Sequence, residues 1–189
     1  MTDYFALLGQ PRQPWLDPDE LKQAFHTRSL ESHPDTQPTA AGAEFTQLNE
    51  AYQTLQDPKR RLHHLLTLAG AAPQPAGNAV PREIAELFPV IATLTQDAAQ
   101  VTAKIAAATS PLSSSLLQPQ VLQVQRRVAA ARASLQRLHD ESTAQLQELN
   151  SVWDPGNAAV VAELQQLYLR FSYVTRWMKE LQEHQLAAL

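Results

Sequence analysis

The chain has 189 residues, of which 44% are hydrophobic, and a formal net charge of −4. It has no cysteine, which excludes disulfides, thiolate zinc sites and direct cysteine ligation of an iron–sulfur cluster. Residues 1–69 hold six basic and nine acidic side chains, and residues 70–189 hold nine and ten. Because nucleic-acid binding needs clustered positive charge, we expect no nucleic-acid partner.

Membrane and sheet signals are also missing from the pattern. No apolar run approaches the roughly 20 residues that span a bilayer, and the opening MTDYFALLGQ lacks the basic flank of a signal peptide. We therefore expect a cytoplasmic protein with no membrane partner. With only five glycines and no useful alternation of apolar and polar residues, the predicted fold class is all-α.

After a short first helix, the second helix has a complete start signal. Asp17 is its predicted N-cap and Pro18 its first helical residue, while Leu16 and Leu21 have the spacing of a hydrophobic staple. The helix ends before Pro34, which disfavours helical geometry at the preceding residue. Its outer face carries Lys22, His26 and Ser29, and its buried stripe carries Leu21, Ala24 and Phe25.

A third helix is predicted over Ala43–Gln56, with Thr39 as a possible cap, and a shorter one over Lys59–Leu68 after the break at Asp57-Pro58. The second and third helices should form a hairpin. Its predicted core consists of Tyr4, Phe5, Leu21, Phe25, Phe45, Leu48, Tyr52 and Leu55.

Residues 70–80, GAAPQPAGNAV, are typical of a linker because they hold two glycines, two prolines and no charge. The predicted domains are thus 1–69 and 81–189. In the second domain, steps of three and four predict an antiparallel three-helix bundle with breaks at 110–115 and 150–157, and Pro89 should kink the first helix or mark a late start. The three stripes are Ile84, Leu87, Ile91, Leu94, Ala98, Val101 and Ile105; Leu117, Val121, Val124, Val128, Ala131, Leu135 and Leu138; and Val160, Leu164, Leu167, Phe171, Val174, Met178 and Leu181.

The motif His33-Pro34-Asp35 stands between the second and third helices. A histidine and a carboxylate two residues apart could ligate a metal, but no further histidine or carboxylate stands at a recognisable spacing. The chain also lacks a glycine-rich phosphate loop and a nucleophile elbow. We therefore expect neither an enzyme nor a bound metal or cofactor, and a histidine–carboxylate metalloenzyme remains the weakest alternative.

Residues 1–69 resemble a J-domain in DYFALLG, in LKQAF, in the HPD loop and in LNEAYQTLQDPKRRLHHLL. The resemblance implies a helical hairpin with short flanking helices. It also implies that His33, Pro34 and Asp35 contact a DnaK-type ATPase chaperone, with Lys22, His26 and Arg28 on the helix before them. A rigid proline corner that displays a histidine and a carboxylate suits an ion pair with a basic residue of a partner.

The whole chain resembles the HscB family of iron–sulfur cluster co-chaperones, through the J-domain, RRLHHLLTLAG before the linker, WDPGN and LYLRFSYV. This resemblance implies stimulation of an HscA-type chaperone and delivery of an IscU-type scaffold protein. The implied client surface consists of Leu87, Phe88, Val90, Ile91 and Phe171. Phe88 and Val90 fall off the apolar stripe, which favours an exposed role for them. The alternative is a J-domain adaptor or structural protein with a different client.

Overall fold

The computed structural model describes residues 2–31, 41–73 and 80–187. Over these ranges the chain is helical and contains no strand, which confirms the all-α class. None of the helices described is both long and apolar enough to cross a membrane. The helices are α1 Tyr4–Leu7, α2 Pro18–Glu31, α3 Ala41–Gln56, α4 Pro58–Leu68, α5 Arg82–Ala107, α6 Pro111–Asn150 and α7 Ala158–Ala187.

The start of α2 confirms the capping prediction. The Asp17 carboxylate accepts hydrogen bonds from the backbone N–H groups of Asp19 and Glu20, at 2.9 and 3.0 Å. Leu16 and Leu21, on either side of this cap, are 5% and 2% exposed. An N-cap and two buried leucines therefore fix both the first turn of α2 and the angle at which the chain enters it.

Two predicted helix starts need correction. The third helix begins at Ala41 rather than Ala43, and its suggested cap, Thr39, lies outside the described residues. The predicted break at 110–115 is wrong because α6 already begins at Pro111. The Ser110 hydroxyl accepts from the Ser113 N–H at 3.2 Å, and the Ser113 hydroxyl accepts from the Ser110 N–H at 3.1 Å. This reciprocal cap, followed by proline, makes the segment a helix start.

The chain divides into two compact units. Unit 1 comprises Met1–Asn78 and Thr143–Tyr168, and unit 2 comprises Ala79–Ser142 and Leu169–Leu189. Helices α6 and α7 therefore contribute residues to both units. The sequence predicts domains over 1–69 and 81–189. The two units are defined by contacts within the folded chain, so the predicted domain boundaries stay a prediction.

Unit 1 contains the helical hairpin of α2 and α3, with α1 and α4 beside it. Most of its predicted core is buried or half-buried, but Phe45 is 50% exposed, so its assignment to the core is wrong. Phe45 lies in the second turn of α3. The fully or nearly fully buried members are Phe5, Leu21, Leu48 and Leu55.

In unit 2, α5 and α6 run antiparallel. Lys104 of α5 donates to Gln120 of α6 at 3.3 Å, and Asp97 of α5 pairs with Arg127 of α6. From the first pair to the second, the residue number decreases along α5 and increases along α6. The predicted antiparallel arrangement of these two helices is therefore confirmed.

Helices α5 and α7 run parallel, as the first and third helices of an up-down-up bundle should. Glu83 pairs with Arg170, and further along both helices Thr95 donates to Glu180 at 3.3 Å. Most residues of the predicted stripes are buried or half-buried, but Ile105, in the last turn of α5, is 37% exposed. Val160, Leu164 and Leu167 of the third stripe are buried as well, but they belong to unit 1 and not to the core of unit 2. The buried core residues are Ile84, Ile91, Leu94, Ala98, Val101, Val121, Val124, Val128, Leu135, Val174, Trp177 and Leu181.

Pro89 lies inside α5, and the helix continues on both sides of it from Arg82 to Ala107. The prediction of a late start is therefore wrong. Proline has no backbone N–H, so the carbonyl four residues earlier, at Ala85, loses its helical donor. The Thr93 hydroxyl donates to the Pro89 carbonyl at 2.8 Å, one turn further on. The surrounding core, with Ile84 and Ile91 at 0% and 3% exposure, keeps the helix in place despite the lost bond.

Candidate partner-binding surfaces

The motif His33-Pro34-Asp35 lies outside the described residues. The helices on either side of it are described: α2 ends at Glu31 and α3 begins at Ala41. The surfaces that surround the motif in sequence can therefore be built from these two helices.

The outer face of α2 is a stripe of exposed side chains. Lys22, His26 and Leu30 follow one another at intervals of four residues, so they point to the same side of the helix. On the opposite side, Leu21 is 2% exposed and the ring of Phe25 stacks on Tyr52, with 4.6 Å between ring centroids. Because packing holds the inner face, the outer face is available to a partner. We call Lys22, His26 and Leu30 the α2 face.

Arg28 is exposed but does not belong to the α2 face. It lies two residues after His26, about 200° around the helix. Its guanidinium pairs with Glu31 at 3.2 Å and approaches Gly9, where a Cβ atom would lie 3.6 Å from Nη2. Gly9 follows α1 and has a positive φ of 64°, a conformation that favours glycine. The structure thus brings Lys22 and His26 together and places Arg28 elsewhere.

Two exposed apolar side chains lie on α2 and α3 and were not selected from the sequence as partner contacts. Leu30, three residues before His33, is 73% exposed, and Phe45 at the start of α3 is 50% exposed. They are the large apolar residues that the described part of the hairpin leaves exposed.

A buried arginine on α4 holds the hairpin to the loop before α2. Arg61 is 4% exposed; its Nε donates to the Pro14 carbonyl at 2.8 Å and its Nη1 to the Leu55 carbonyl at 2.6 Å. Burial lowers the pKa of Arg61 to about 10, while the nearby Asp57 charge acts in the opposite direction. Arg61 therefore stays charged at neutral pH and pairs two carbonyls that would otherwise be buried without donors.

His64 fixes α1 against α4. It is 2% exposed, its Nε2 accepts the backbone N–H of Tyr4 at 3.0 Å, and its ring stacks on those of Tyr4 and Phe5. Burial lowers the pKa of His64, and the negative charge of Asp3 opposes this effect. An Nε2 that accepts a hydrogen bond belongs to a neutral imidazole. His64 is therefore a structural hydrogen-bond acceptor.

The turn between α6 and α7 packs on the same loop before α2. Trp153 Nε1 donates to the Arg12 carbonyl at 2.9 Å, and the Asn150 side-chain oxygen accepts from the Trp15 N–H at 3.0 Å. The residues WDPGN, noted above for their resemblance, thus belong to the packing of unit 1. Their role there is structural.

In unit 2, the predicted client residues do not form one surface. Phe88 is 38% exposed and lies edge-on to the rings of Tyr173 and Trp177 of α7, at 5.1 Å from each. Val90 is 52% exposed, but it lies two residues further on and so about 200° around α5. Leu87 is half-buried beside Phe88. We call Leu87, Phe88 and Tyr173 the aromatic patch.

Ile91 and Phe171, the other predicted client residues, are 3% and 1% exposed. Ile91 belongs to the core of unit 2, and the ring of Phe171 packs edge-on against His139 at 5.3 Å. In this structure both support the helices that carry the aromatic patch and neither reaches the surface. Tyr173 and Trp177 were missed because the predicted stripe ran through Val174 and Met178, one residue away from each.

Within the described ranges, no group of three or more histidine, aspartate or glutamate side chains is arranged to hold a metal ion. The surfaces described above offer exposed apolar groups, single charges and hydrogen-bond donors.

Comparison with known proteins agrees with this picture. Residues 3–64 match the DnaJ domain family. The HscB homologue of Paraburkholderia phymatum, named a co-chaperone protein, is 40% identical over 74 residues, which cover 35% of this chain and 42% of that protein. The chain thus spans less than half the length of this curated relative.

Two solved structures share the fold over nearly the whole chain. The chaperone HscB from Vibrio cholerae aligns with a TM-score of 0.53 and 22% identity over 100% of both chains. The human co-chaperone protein HscB aligns with a TM-score of 0.57 and 18% identity, over 97% of this chain and 82% of that one. At these identities the likeness concerns the fold alone.

Proposed function

We propose that the chain is a J-domain co-chaperone of the HscB family, which stimulates ATP hydrolysis by a DnaK- or HscA-type chaperone. The observation that carries the proposal is the match of residues 3–64 to the DnaJ domain, a range that includes His33, Pro34 and Asp35. The chain acts through the active site of its partner and supplies no catalytic residue of its own.

The α2 face supports this proposal physically. Lys22 and His26 present a cation and a hydrogen-bonding ring on one stripe, and Leu30 extends the stripe towards His33. A partner that carries carboxylates and an apolar side chain would match this stripe. Asp19 and Glu20 are also exposed on α2, so their negative charges weaken the long-range attraction between this helix and an acidic surface of the chaperone. Short-range contacts therefore have to supply most of the affinity.

The α2 face is tested by single-turnover ATP hydrolysis of a DnaK-type chaperone. Lys22→Glu should reduce stimulation because it reverses the one cation of the stripe. Lys179→Glu, which makes the same change on an exposed lysine of unit 2, should leave stimulation unchanged. Equal effects of the two substitutions would contradict a specific α2 contact, and they would leave the role of His33 to be tested separately.

We further propose that unit 2 delivers a client, and that this client is a scaffold protein of the IscU type. The aromatic patch carries this proposal, because Phe88 remains 38% exposed although it packs on two aromatic rings. Exposed aromatic groups held by rigid neighbours are frequent anchors of protein interfaces. The Glu83–Arg170 pair and the buried Trp177 keep α5 and α7 in register beneath it.

Val90 offers a matched control for this proposal, since it is exposed on the same helix but on another side. Phe88→Ser should weaken binding of an IscU-type scaffold at least about tenfold, as expected for the loss of an interface anchor. Val90→Ser should change it little. Calorimetric titration of the scaffold measures both, and a retained affinity of Phe88→Ser would contradict the proposal.

One observation favours the alternative of an adaptor with a different client. The Arg176 guanidinium lies 5.4 Å from the ring centroid of Tyr173, so the aromatic patch has a basic edge. A client with acidic side chains beside an apolar anchor would fit that edge. If an IscU-type scaffold fails to bind the wild type while ATP hydrolysis is still stimulated, the adaptor function is favoured.

A further inference from the structure

A groove in unit 1 lies outside both proposed partner surfaces. Its volume is about 460 Å³, and side chains of α1, α3, α4 and α7 line it. The lining consists of Tyr4, Glu50, Thr54, Lys59, Arg60, His63, His64 and Tyr168. This volume lies within the usual range for small-molecule sites.

The groove has an excess of positive charge. Lys59 and Arg60 lie side by side at the start of α4, and neither has a carboxylate within ion-pair distance among the described residues. Glu50 is the acidic member of the lining. Burial, together with the nearby Glu50 carboxylate, raises the pKa of Tyr4. With neutral histidines the lining carries a net charge of +1.

A ring donor belongs to the lining of the same groove. His64 is 2% exposed, and its Nε2 accepts the Tyr4 N–H, so the proton of the neutral ring is on Nδ1. This Nδ1–H makes no hydrogen bond to a described residue, and it is accessible from the groove rather than enclosed. A lining histidine with an unused donor, next to two cations without partners, calls for an acceptor with negative charge.

We propose that this groove binds the phosphate group of a small molecule. The Lys59 ammonium and the Arg60 guanidinium neutralise its charge, and His64 Nδ1–H donates to one of its oxygens. Arginine and lysine together are a usual combination for phosphate. The ring of His63, 5.8 Å from that of Tyr168, forms an aromatic side wall against which a planar group attached to the phosphate can lie.

The test is a titration of the full chain with inorganic phosphate and with AMP, followed by the imidazole NMR signals of His63 and His64. Both ligands should give saturable shifts of these signals. Equal affinities for the two ligands would show that only the phosphate group is bound. Tighter binding of AMP would show that the aromatic side wall of His63 and Tyr168 also contributes to binding. Shifts that grow linearly without saturation, or that spread over the whole surface, would overturn the proposal.

Three variants make the test specific. Lys59→Gln combined with Arg60→Gln should weaken binding about tenfold or more, since two charge-assisted contacts are lost. Lys22→Gln combined with Arg28→Gln removes the same charges from α2 and should leave the affinity unchanged. Glu50→Gln should strengthen binding, because it removes the opposing charge. Equal weakening by both double substitutions, or weaker binding after Glu50→Gln, would contradict the assignment.

Discussion

The buried arginine of α4 gives the sharpest structural prediction. Arg61→Met keeps a long, flexible and apolar stem of similar length but removes both guanidinium hydrogen bonds, to the carbonyls of Pro14 and Leu55. Each hydrogen bond from a charged group contributes about 1.5–3 kcal/mol, so the loss of two corresponds to about 3–6 kcal/mol. Burial of the charge is itself unfavourable, as the lowered pKa of Arg61 shows, and its removal offsets part of this loss. We therefore expect a net destabilisation of about 3 kcal/mol.

Amide hydrogen exchange of Leu62, Leu65 and Leu66 measures this change, because these buried residues of α4 report the opening of unit 1. Arg60→Met is the matched control: Arg60 is the preceding residue, it is exposed, and its side chain makes no hydrogen bond to the described protein. We expect a change below about 0.5 kcal/mol for this control. A loss below about 1 kcal/mol for Arg61→Met, or equal losses in the two variants, would refute the structural role of Arg61.

Two further predictions concern pH and proline. The pKa of His64 is lowered in the folded chain, so below about pH 6.5 the unfolded chain binds more protons than the folded chain does. The free energy of unfolding should therefore decrease as the pH falls below this value, by up to about 1.4 kcal/mol per pH unit. Urea unfolding between pH 5 and 8 measures this dependence, which His64→Gln should reduce and His63→Gln should retain; a flat profile for the wild type would contradict it. Pro89→Ala restores an amide donor inside α5 and should stabilise unit 2 by about 1–3 kcal/mol in thermal unfolding followed by circular dichroism. A lower midpoint for Pro89→Ala would show that the proline is needed in the folded helix.

Much of the helical fold follows from local chemistry in the sequence. The cap at Asp17 and the stripes of unit 2 depend on spacing within one helix, and the structure confirms them. The helix start at Ser110 was missed because serine and proline occur in loops as well as at helix starts. Only the reciprocal hydrogen bonds with Ser113 distinguish the two cases.

The surfaces depend on tertiary packing, which periodicity cannot supply. Phe45 continues the apolar stripe of α3 and yet is half exposed, because its position along the hairpin decides whether a neighbour covers it. Phe171 was placed by periodicity on an apolar stripe and by the family resemblance in the client surface, and the structure supports the stripe, since Phe171 is 1% exposed. Arg61 and His64 gave no signal at all, since the groups that they bind, the carbonyl of Pro14 and the N–H of Tyr4, are distant in sequence.

The measurement that tests the central proposal most directly is single-turnover ATP hydrolysis by a DnaK-type chaperone, with the wild type and His33→Gln. His63→Gln, which alters an exposed histidine of α4, is the control. We predict that the wild type and His63→Gln accelerate hydrolysis, and that with His33→Gln the rate stays at that of the chaperone alone. No acceleration by the wild type, or equal acceleration by wild type and His33→Gln, would contradict the proposed function.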